Sequence, residues 1–156
     1  MNLDDYILDT SQINWKDVLE EWYWLLPENF TVWLVNRFGD IFMIYPDDKI
    51  YLLEIDAGKI SHVANSQDHF CTLIDQNENA DDWLLIPLIN KLVAQNVIPA
   101  NNECYSLAVP TVLGGQYELS NIKTCDIEVY YAFNGQIHQQ IKDLPEGTKV
   151  QINFVE

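Results

Sequence analysis

The sequence predicts an α+β fold, in which an antiparallel β-meander is covered by helices in a single compact domain. Short runs of β-favouring residues alternate with turn residues between positions 31 and 63. Apolar residues at helical spacing precede and follow this stretch. The chain has 156 residues, the length of one ordinary domain, so two large domains are excluded.

The first predicted element is an amphipathic helix over residues 15–26. Ser11 or Asn14 can cap its start, and Pro27 ends it because proline has no N–H to donate. The apolar residues of the predicted helix recur at the spacing of one helix face. They are Trp15, Val18, Leu19, Trp22 and Leu26.

Four runs rich in β-branched and aromatic residues follow this helix and predict the strands of the meander. The runs are separated by turns that contain Gly, Pro or Asp, the residues that turns favour. Two runs are apolar on both faces, so we expect helices to cover the sheet. The predicted strands are 31–35, 41–45, 50–55 and 59–63, and the predicted turns are 37–40, 46–49 and 56–58.

Helices are predicted again before residue 100. Ser66 can cap a short helix that runs through Asp75. After a polar linker over 76–79, residues 82–96 have helical spacing. Pro87 must lie in the first turn of that helix or kink it, because an interior position would need the N–H that proline lacks.

The last third of the chain predicts a short strand and a longer helix. Residues 103–113 are expected to be extended around Pro110, and Gly114 and Gly115 to form a turn. We expect a positive φ at Gly115, since glycine adopts such a conformation without steric cost. Residues 126–144 return to helical spacing.

The charge of the chain argues against two classes of partner. The sequence carries 24 acidic and 8 basic residues, a formal net charge of −16. Residues 1–78 hold 15 of the acidic residues and 4 of the basic ones, so they form the more electronegative half. Such a surface repels phosphate backbones and anionic lipids, so we expect no direct binding to nucleic acid or membrane. Neither a secretory signal nor a membrane-spanning run can be read, and we expect a cytoplasmic protein.

The sequence offers no motif for catalysis, for a cofactor or for a metal. Its three histidines and three cysteines lack the close pairs of zinc sites. The apolar neighbours of the cysteines predict reduced, buried thiols, and we expect the histidines at the surface. A Cys–His catalytic pair stays open, because its members would meet only in the fold, but nothing favours one. The residues concerned are Cys71, Cys104, Cys125, His62, His69 and His138.

Two acidic places beside aromatic residues are candidates for a partner-binding surface. Rings anchor an interface, and carboxylates steer a basic partner toward it. On a helix the rings of Trp22, Tyr23 and Trp24 point in different directions, so at least one should be exposed, unless Tyr23 or Trp24 packs under the meander. The candidates are Glu20, Glu21, Trp24 and Glu28 at the first place, and Tyr45, Asp47, Asp48 and Tyr51 at the second. The alternative docking place for the partner is on the C-terminal half, around Glu118, Asp126 and Glu128.

Six separated segments carry a family resemblance. They are Arg37-Phe-Gly-Asp-Ile-Phe42, Lys49-Ile-x-x-Leu-x-Ile-x-x-Gly58, Cys104-Tyr-Ser-Leu-x-x-Pro110, Leu113-Gly-Gly-x-Tyr117, Asn121-Ile122 and Gly135-Gln-Ile-His-Gln-Gln-Ile-Lys-Asp-Leu-Pro-x-Gly-Thr-Lys149. In this order they resemble the immunity proteins of type VI secretion DNase effectors, a family built from a GAD-like region followed by a small C-terminal domain.

This resemblance implies a non-enzymatic, cytoplasmic protein that binds and neutralises a cognate nuclease toxin. It divides the single domain, 1–156, into an N-terminal helical segment (1–27), a GAD-like sheet with helices (28–100) and a C-terminal immunity segment (101–156). The acidic surface is compatible with this role, because a nuclease presents a basic substrate groove.

Two other function classes stay open at this point. An intracellular adaptor or regulator that binds another basic protein would have the same surface. A small-ligand enzyme would need a His or Cys with a shifted pKa in a concave site. The sequence predicts no cofactor and does not determine the oligomeric state.

Overall fold

The N-terminal segment is only partly helical in the computed structural model, which describes residues 2–149. A 3₁₀ turn over Leu3–Asp5 is followed by helix α1, Trp15–Val18, and by a second 3₁₀ turn, Glu20–Trp22. The prediction of one continuous helix over 15–26 is therefore wrong.

Tertiary contacts explain why this helix stops after one turn. Leu19 leaves helical geometry, with φ −97° and ψ 10°, and Trp22 is completely buried. The indole Nε1 of Trp22 donates a hydrogen bond to the carbonyl oxygen of Tyr131 at 2.9 Å. Asn14 occupies the N-cap position, but its side chain makes no capping hydrogen bond. The apolar periodicity thus identifies residues that face inward without requiring the chain to remain helical between them.

Four antiparallel strands form the central sheet. They are β1, Thr31–Val35, β2, Ile41–Ile44, β3, Ile50–Glu54, and β4, Lys59–Ala64. Each strand pairs with the next one along the chain, in the order β1-β2-β3-β4. The predicted α+β fold with a β-meander is confirmed.

The turn between β1 and β2 is tied by the side chain of Asn36. Its Oδ1 accepts hydrogen bonds from the backbone N–H groups of Phe38 and Asp40, at 2.9 and 3.0 Å. Gly39 has a φ of +82°, which L side chains rarely adopt. The turn predicted at 37–40 is confirmed.

Helix α2, Gln67–Ile74, begins where the sequence predicts it. Ser66 is the N-cap, and its Oγ accepts a hydrogen bond from the N–H of His69 at 3.0 Å. The cap therefore satisfies one of the backbone donors that the first helical turn leaves without a partner.

The predicted helical stretch over 82–96 consists of parts of two helices. They are α3, Asn79–Leu84, and α4, Ile86–Ala94. Leu85 lies between them in the left-handed region, with a φ of 53°, so it ends α3. Pro87 lies in the first turn of α4, as predicted. No helix within residues 2–149 has both the length and the hydrophobicity needed to cross a bilayer.

A separate two-stranded sheet precedes the last helix. It pairs β5, Glu103–Leu107, with β6, Ile122–Asp126, in antiparallel register, and α5, Ile127–Ile141, follows directly. The Asp126 side chain caps α5, accepting a hydrogen bond from the N–H of Val129 at 3.1 Å. Strand β6 has no clear signal in the sequence, because three of its five residues are polar and only pairing with β5 makes it a strand.

The connection between β5 and β6 corrects two expectations. The extended stretch predicted over 103–113 ends with β5, and Thr111–Leu113 forms a 3₁₀ turn. Gly114 has a positive φ, +97°, and Gly115 does not, so the prediction of a positive φ at Gly115 is wrong. Gly115 is required for a different reason, since a Cβ there would lie 1.7 Å from the carbonyl oxygen of Val109.

Helices cover both faces of the central sheet, as predicted. The β2–β3 register pairs Ile41 with Leu53 and Phe42 with Leu52, and the two pairs point to opposite faces. Ile41 and Leu53 belong to the core cluster shared with the N-terminal segment and α5. Phe42 and Leu52 pack with Phe70 of α2 in a second cluster, which α3 and α4 complete.

Candidate functional site

The predicted partner-binding residues lie in two groups on the surface. Glu28, Tyr45 and Asp48 line one depression, although Glu28 is far from the other two in sequence. Glu20 and Glu21 line another depression, which they share with residues of α5. The structure therefore brings together three of the eight candidates at one place and two at a second. Trp24, Asp47 and Tyr51 line neither depression.

We call the first depression, together with an adjoining one, the Glu28 groove. The two parts have volumes of about 490 and 660 Å³ and share Glu28, Phe30 and Thr31. Acidic side chains and rings therefore occur side by side along one groove, which is the combination expected of an interface for a basic partner. The remaining lining residues are Asn29, Ile44, Tyr45, Pro46 and Asp48 in the smaller part, and Trp15, Lys16, Tyr23, Leu26, Pro27 and Val32 in the larger one.

The aromatic pair at the β2–β3 turn is held firmly. The rings of Tyr45 and Tyr51 stack with centroids 3.9 Å apart and an interplanar angle of 19°. Burial, with the neighbouring Tyr51 and Asp47 as smaller causes, raises the pKa of Tyr45. The hydroxyl of Tyr45 therefore stays neutral and can donate a hydrogen bond to a partner.

The two aspartates of this turn have structural roles as well as exposed charges. Asp47 Oδ1 accepts a hydrogen bond from the N–H of Lys49 at 3.2 Å, and the two side chains form an exposed ion pair at 3.7 Å. Asp48 has a φ of 68°, a conformation that Asp and Asn tolerate better than most residues. Both are exposed, so their charges can act on an approaching partner.

Trp24 is a half-buried ring, and its neighbour Tyr23 is the exposed aromatic residue of this stretch. Trp24 stacks on Trp22 with centroids 6.1 Å apart and donates from Nε1 to the carbonyl oxygen of Glu21 at 2.7 Å. The ammonium of Lys142 lies 5.5 Å from the centroid of the Trp24 ring. Tyr23 is 48% exposed. The expectation that at least one of the three rings is exposed is confirmed for Tyr23.

The second depression joins residues of two predicted docking places and adds Val129, which the sequence did not single out. Besides Glu20 and Glu21 it is lined by Glu128 and Val129 of α5. Glu128 belongs to the alternative docking place on the C-terminal half. Val129 lies about 200° around the helix from Ile127, which faces the core, and Val129 itself is exposed. An apolar residue off its helix stripe was the available signal for this place.

A buried polar network connects the sheet to the C-terminal segment. The carboxylate of Asp40 accepts a hydrogen bond from the N–H of Ile55 at 2.9 Å. Asp56 accepts one from the N–H of Thr111 at 3.2 Å and a second from the hydroxyl of Thr111. Asp40 and Asp56 are buried and have hydrogen-bond partners, so these contacts tie the sheet to the loop after β5.

His138 belongs to the same network. It is buried, so the expectation of a surface histidine is wrong at this position. Its Nε2 lies 2.8 Å from the carbonyl oxygen of Asp56. Burial lowers the pKa of His138, and burial raises the pKa of Asp40 to about 7.

Of the three cysteines predicted to be buried, only Cys104 is fully buried, and Cys125 is half-buried. Cys71 is exposed, so its predicted burial is wrong, whereas Cys104 is buried and all three thiols are free. Cys104 faces Cys125 across the β5–β6 pair, and burial raises the pKa of both thiols. A raised pKa reduces the fraction of thiolate, which is the form that acts as nucleophile and metal ligand. Within residues 2–149, no group of His, Cys, Asp and Glu residues could hold a metal ion.

The family model for the T6SS immunity protein Tdi1, C-terminal, matches residues 64–138, from the end of β4 into α5. This match supports the resemblance to a type VI secretion immunity protein family. No curated protein matches the chain. The GAD-like region and the segment boundaries at 27 and 100 stay predictions.

Proposed function

From the family match over residues 64–138, we propose that this protein is a cytoplasmic immunity protein that binds and neutralises a cognate type VI secretion nuclease, a DNase toxin. The match is the observation that carries the proposal. The immunity family suggests a role without catalysis of its own. In bacterial competition, such an antitoxin protects the cell that contains it.

Charge supports a nuclease as the partner. A nuclease must attract a polyanion, so its substrate groove is basic. A chain with a net charge of −16 is attracted to that groove and can occupy it or bind beside it. Electrostatic attraction of this kind increases the association rate more than it increases the final affinity.

The proposed contact surface includes the predicted residues at both places. The Glu28 groove offers rings that can be covered by a partner, with carboxylates at its edge. Truncating a central ring typically costs about 2 kcal/mol or more of binding free energy, whereas a rim charge mainly affects the rate of encounter. Trp24 does not line that groove but lies half-buried beside Glu21, and we propose it as the ring of the first predicted place, so Trp24→Ala should accelerate dissociation.

Two measurements test the function. Affinity capture from the native host, followed by mass spectrometry, should recover a nuclease effector. The purified protein should then suppress cleavage of plasmid DNA by that nuclease at equimolar ratio. Recovery of a basic protein that is no toxin would support the adaptor alternative, and nuclease activity that persists with excess protein would refute neutralisation.

A further inference from the structure

We propose that the depression between the N-terminal segment and α5 receives a basic, amphipathic segment of the partner, and we call it the α5 groove. An arginine or lysine of that segment would place its aliphatic stem on Val129 and its cation among the surrounding carboxylates. This inference rests on the proposed function, because it takes the toxin as the partner.

The α5 groove combines an apolar floor with acidic walls. It has a volume of about 310 Å³. Val129 is 59% exposed, so a partner can cover it. The floor consists of Val18, Val129 and Ala132, and the walls of Asp17, Glu20, Glu21 and Glu128.

The charges of these walls have no counter-ions within the described chain. Asp17 accepts a hydrogen bond from the Asn14 amide at 2.9 Å. None of the four carboxylates forms an ion pair within residues 2–149. Carboxylates of the same sign around one depression repel each other, and a cation placed between them would relieve that repulsion. Charge complementarity therefore selects a cationic occupant.

The two walls are fixed relative to each other. The 3₁₀ turn that carries Glu20 and Glu21 is bonded to α5 through Trp22, whose Nε1 donates to the carbonyl oxygen of Tyr131. Gly135 allows close contact, since a Cβ there would lie 2.7 Å from the carbonyl oxygen of Glu21. A groove with rigid walls loses little conformational entropy when it binds a partner.

The apolar floor and the arrangement of the acids favour a side chain over a metal ion. The groove residues do not form a group that could hold a metal. A metal ion would gain nothing from Val129, whereas the methylene groups of arginine or lysine would be removed from water against it. The occupant we propose is therefore a lysine- or arginine-bearing segment of the toxin.

Charge reversal in the groove tests this proposal. The probe is a catalytically inactive form of the nuclease captured from the native host, and binding is measured by surface plasmon resonance. We expect Glu20→Lys with Glu128→Lys to slow association by about tenfold or more at low salt, with a smaller effect at high salt. The matched control is Asp75→Lys with Glu78→Lys, two exposed residues on the opposite side of the sheet. The control should change the association rate by less than about threefold.

A second pair of variants tests the apolar floor without a large change of charge. Val129→Ala should accelerate dissociation several-fold, because it removes apolar contact. Glu128→Gln should slow association, but by a smaller factor than the double charge reversal does. Thermal melts of each variant confirm that the fold is retained. If the groove variants and the control pair bind alike, the groove is not the docking place, while the proposed function stands. If the wild-type protein neither binds nor inhibits the nuclease, the proposed function fails as well.

Discussion

Replacing Gly135 with alanine should destabilise the protein, although glycine is normally unfavourable inside a helix. Gly135 is buried in α5, and a Cβ there would lie 2.7 Å from the carbonyl oxygen of Glu21 and 2.8 Å from its Cβ. Atoms cannot approach that closely, so Glu21 must move. Its neighbour Trp22 is buried and hydrogen-bonded to Tyr131, which restricts that movement.

The expected magnitude follows from two opposing contributions. Alanine gains about 1 kcal/mol over glycine from helix propensity. Overpacking a closely packed contact costs about 1–3 kcal/mol, and a contact with backbone belongs at the upper end of that range. The net effect should therefore be a loss of about 1–2 kcal/mol in the free energy of unfolding.

Urea denaturation of Gly135→Ala and the wild type measures this difference. The pair Gln139→Gly and Gln139→Ala is the control, because Gln139 is exposed on α5 and reports helix propensity alone. Alanine should be more stable than glycine at position 139 by about 1 kcal/mol and less stable at position 135. If alanine stabilises both positions equally, the N-terminal segment does not contact α5 as described, and the rigidity of the α5 groove is refuted.

The remaining predictions concern a turn, a buried acid and the rim of the Glu28 groove. Gly115→Val should lower the free energy of unfolding by at least about 1 kcal/mol in a urea titration, because its Cβ would overlap the carbonyl oxygen of Val109. Burial raises the pKa of Asp40 from 3.8 to about 7, so the folded state binds the proton of the Asp40 carboxyl group more tightly than the unfolded state does. Protonated Asp40 therefore contributes fully to the free energy of unfolding below about pH 4. This contribution, up to about 4 kcal/mol, is lost as the pH rises to about 7. Asp40→Asn should remove this part of the pH dependence, measured as the difference from wild type in urea titrations at pH 5 and pH 8. Asp47→Asn with Asp48→Asn should slow association with the nuclease in stopped-flow mixing while preserving the turn, since Asn tolerates the same backbone conformations; an unchanged rate would place the docking surface elsewhere.

The meander was predictable because its signals are local. Residues 31–35 and 41–44 are β-favouring runs, and the turn between them requires only Asn36 and Gly39 in sequence order. The same holds for α2, whose start depends on the Ser66 cap. Elements of this kind form from contacts between neighbours in the chain, so periodicity and turn chemistry are sufficient to find them.

The elements and residues that escaped prediction depend on distant contacts. Strand β6 is polar in part and is a strand only beside β5. The helix predicted over 15–26 ends early because Trp22 packs against Tyr131, which lies more than a hundred positions away in sequence. The walls of the α5 groove likewise come from distant parts of the sequence. Spacing within one element could not show that Glu20 and Glu128 share a depression.

The part that matches the family depends on the rest of the chain for its position. Tyr131 of α5 belongs to the same core cluster as Trp22 and Leu53, both of which precede the matched residues 64–138. Its hydroxyl donates to the carbonyl oxygen of Gly39 in the β1–β2 turn at 2.7 Å. Without the N-terminal segment and the sheet, α5 would expose its buried face to water. The docking that we propose at the α5 groove therefore requires residues outside the matched part, and substitutions in the N-terminal segment should affect binding even where they contact no partner.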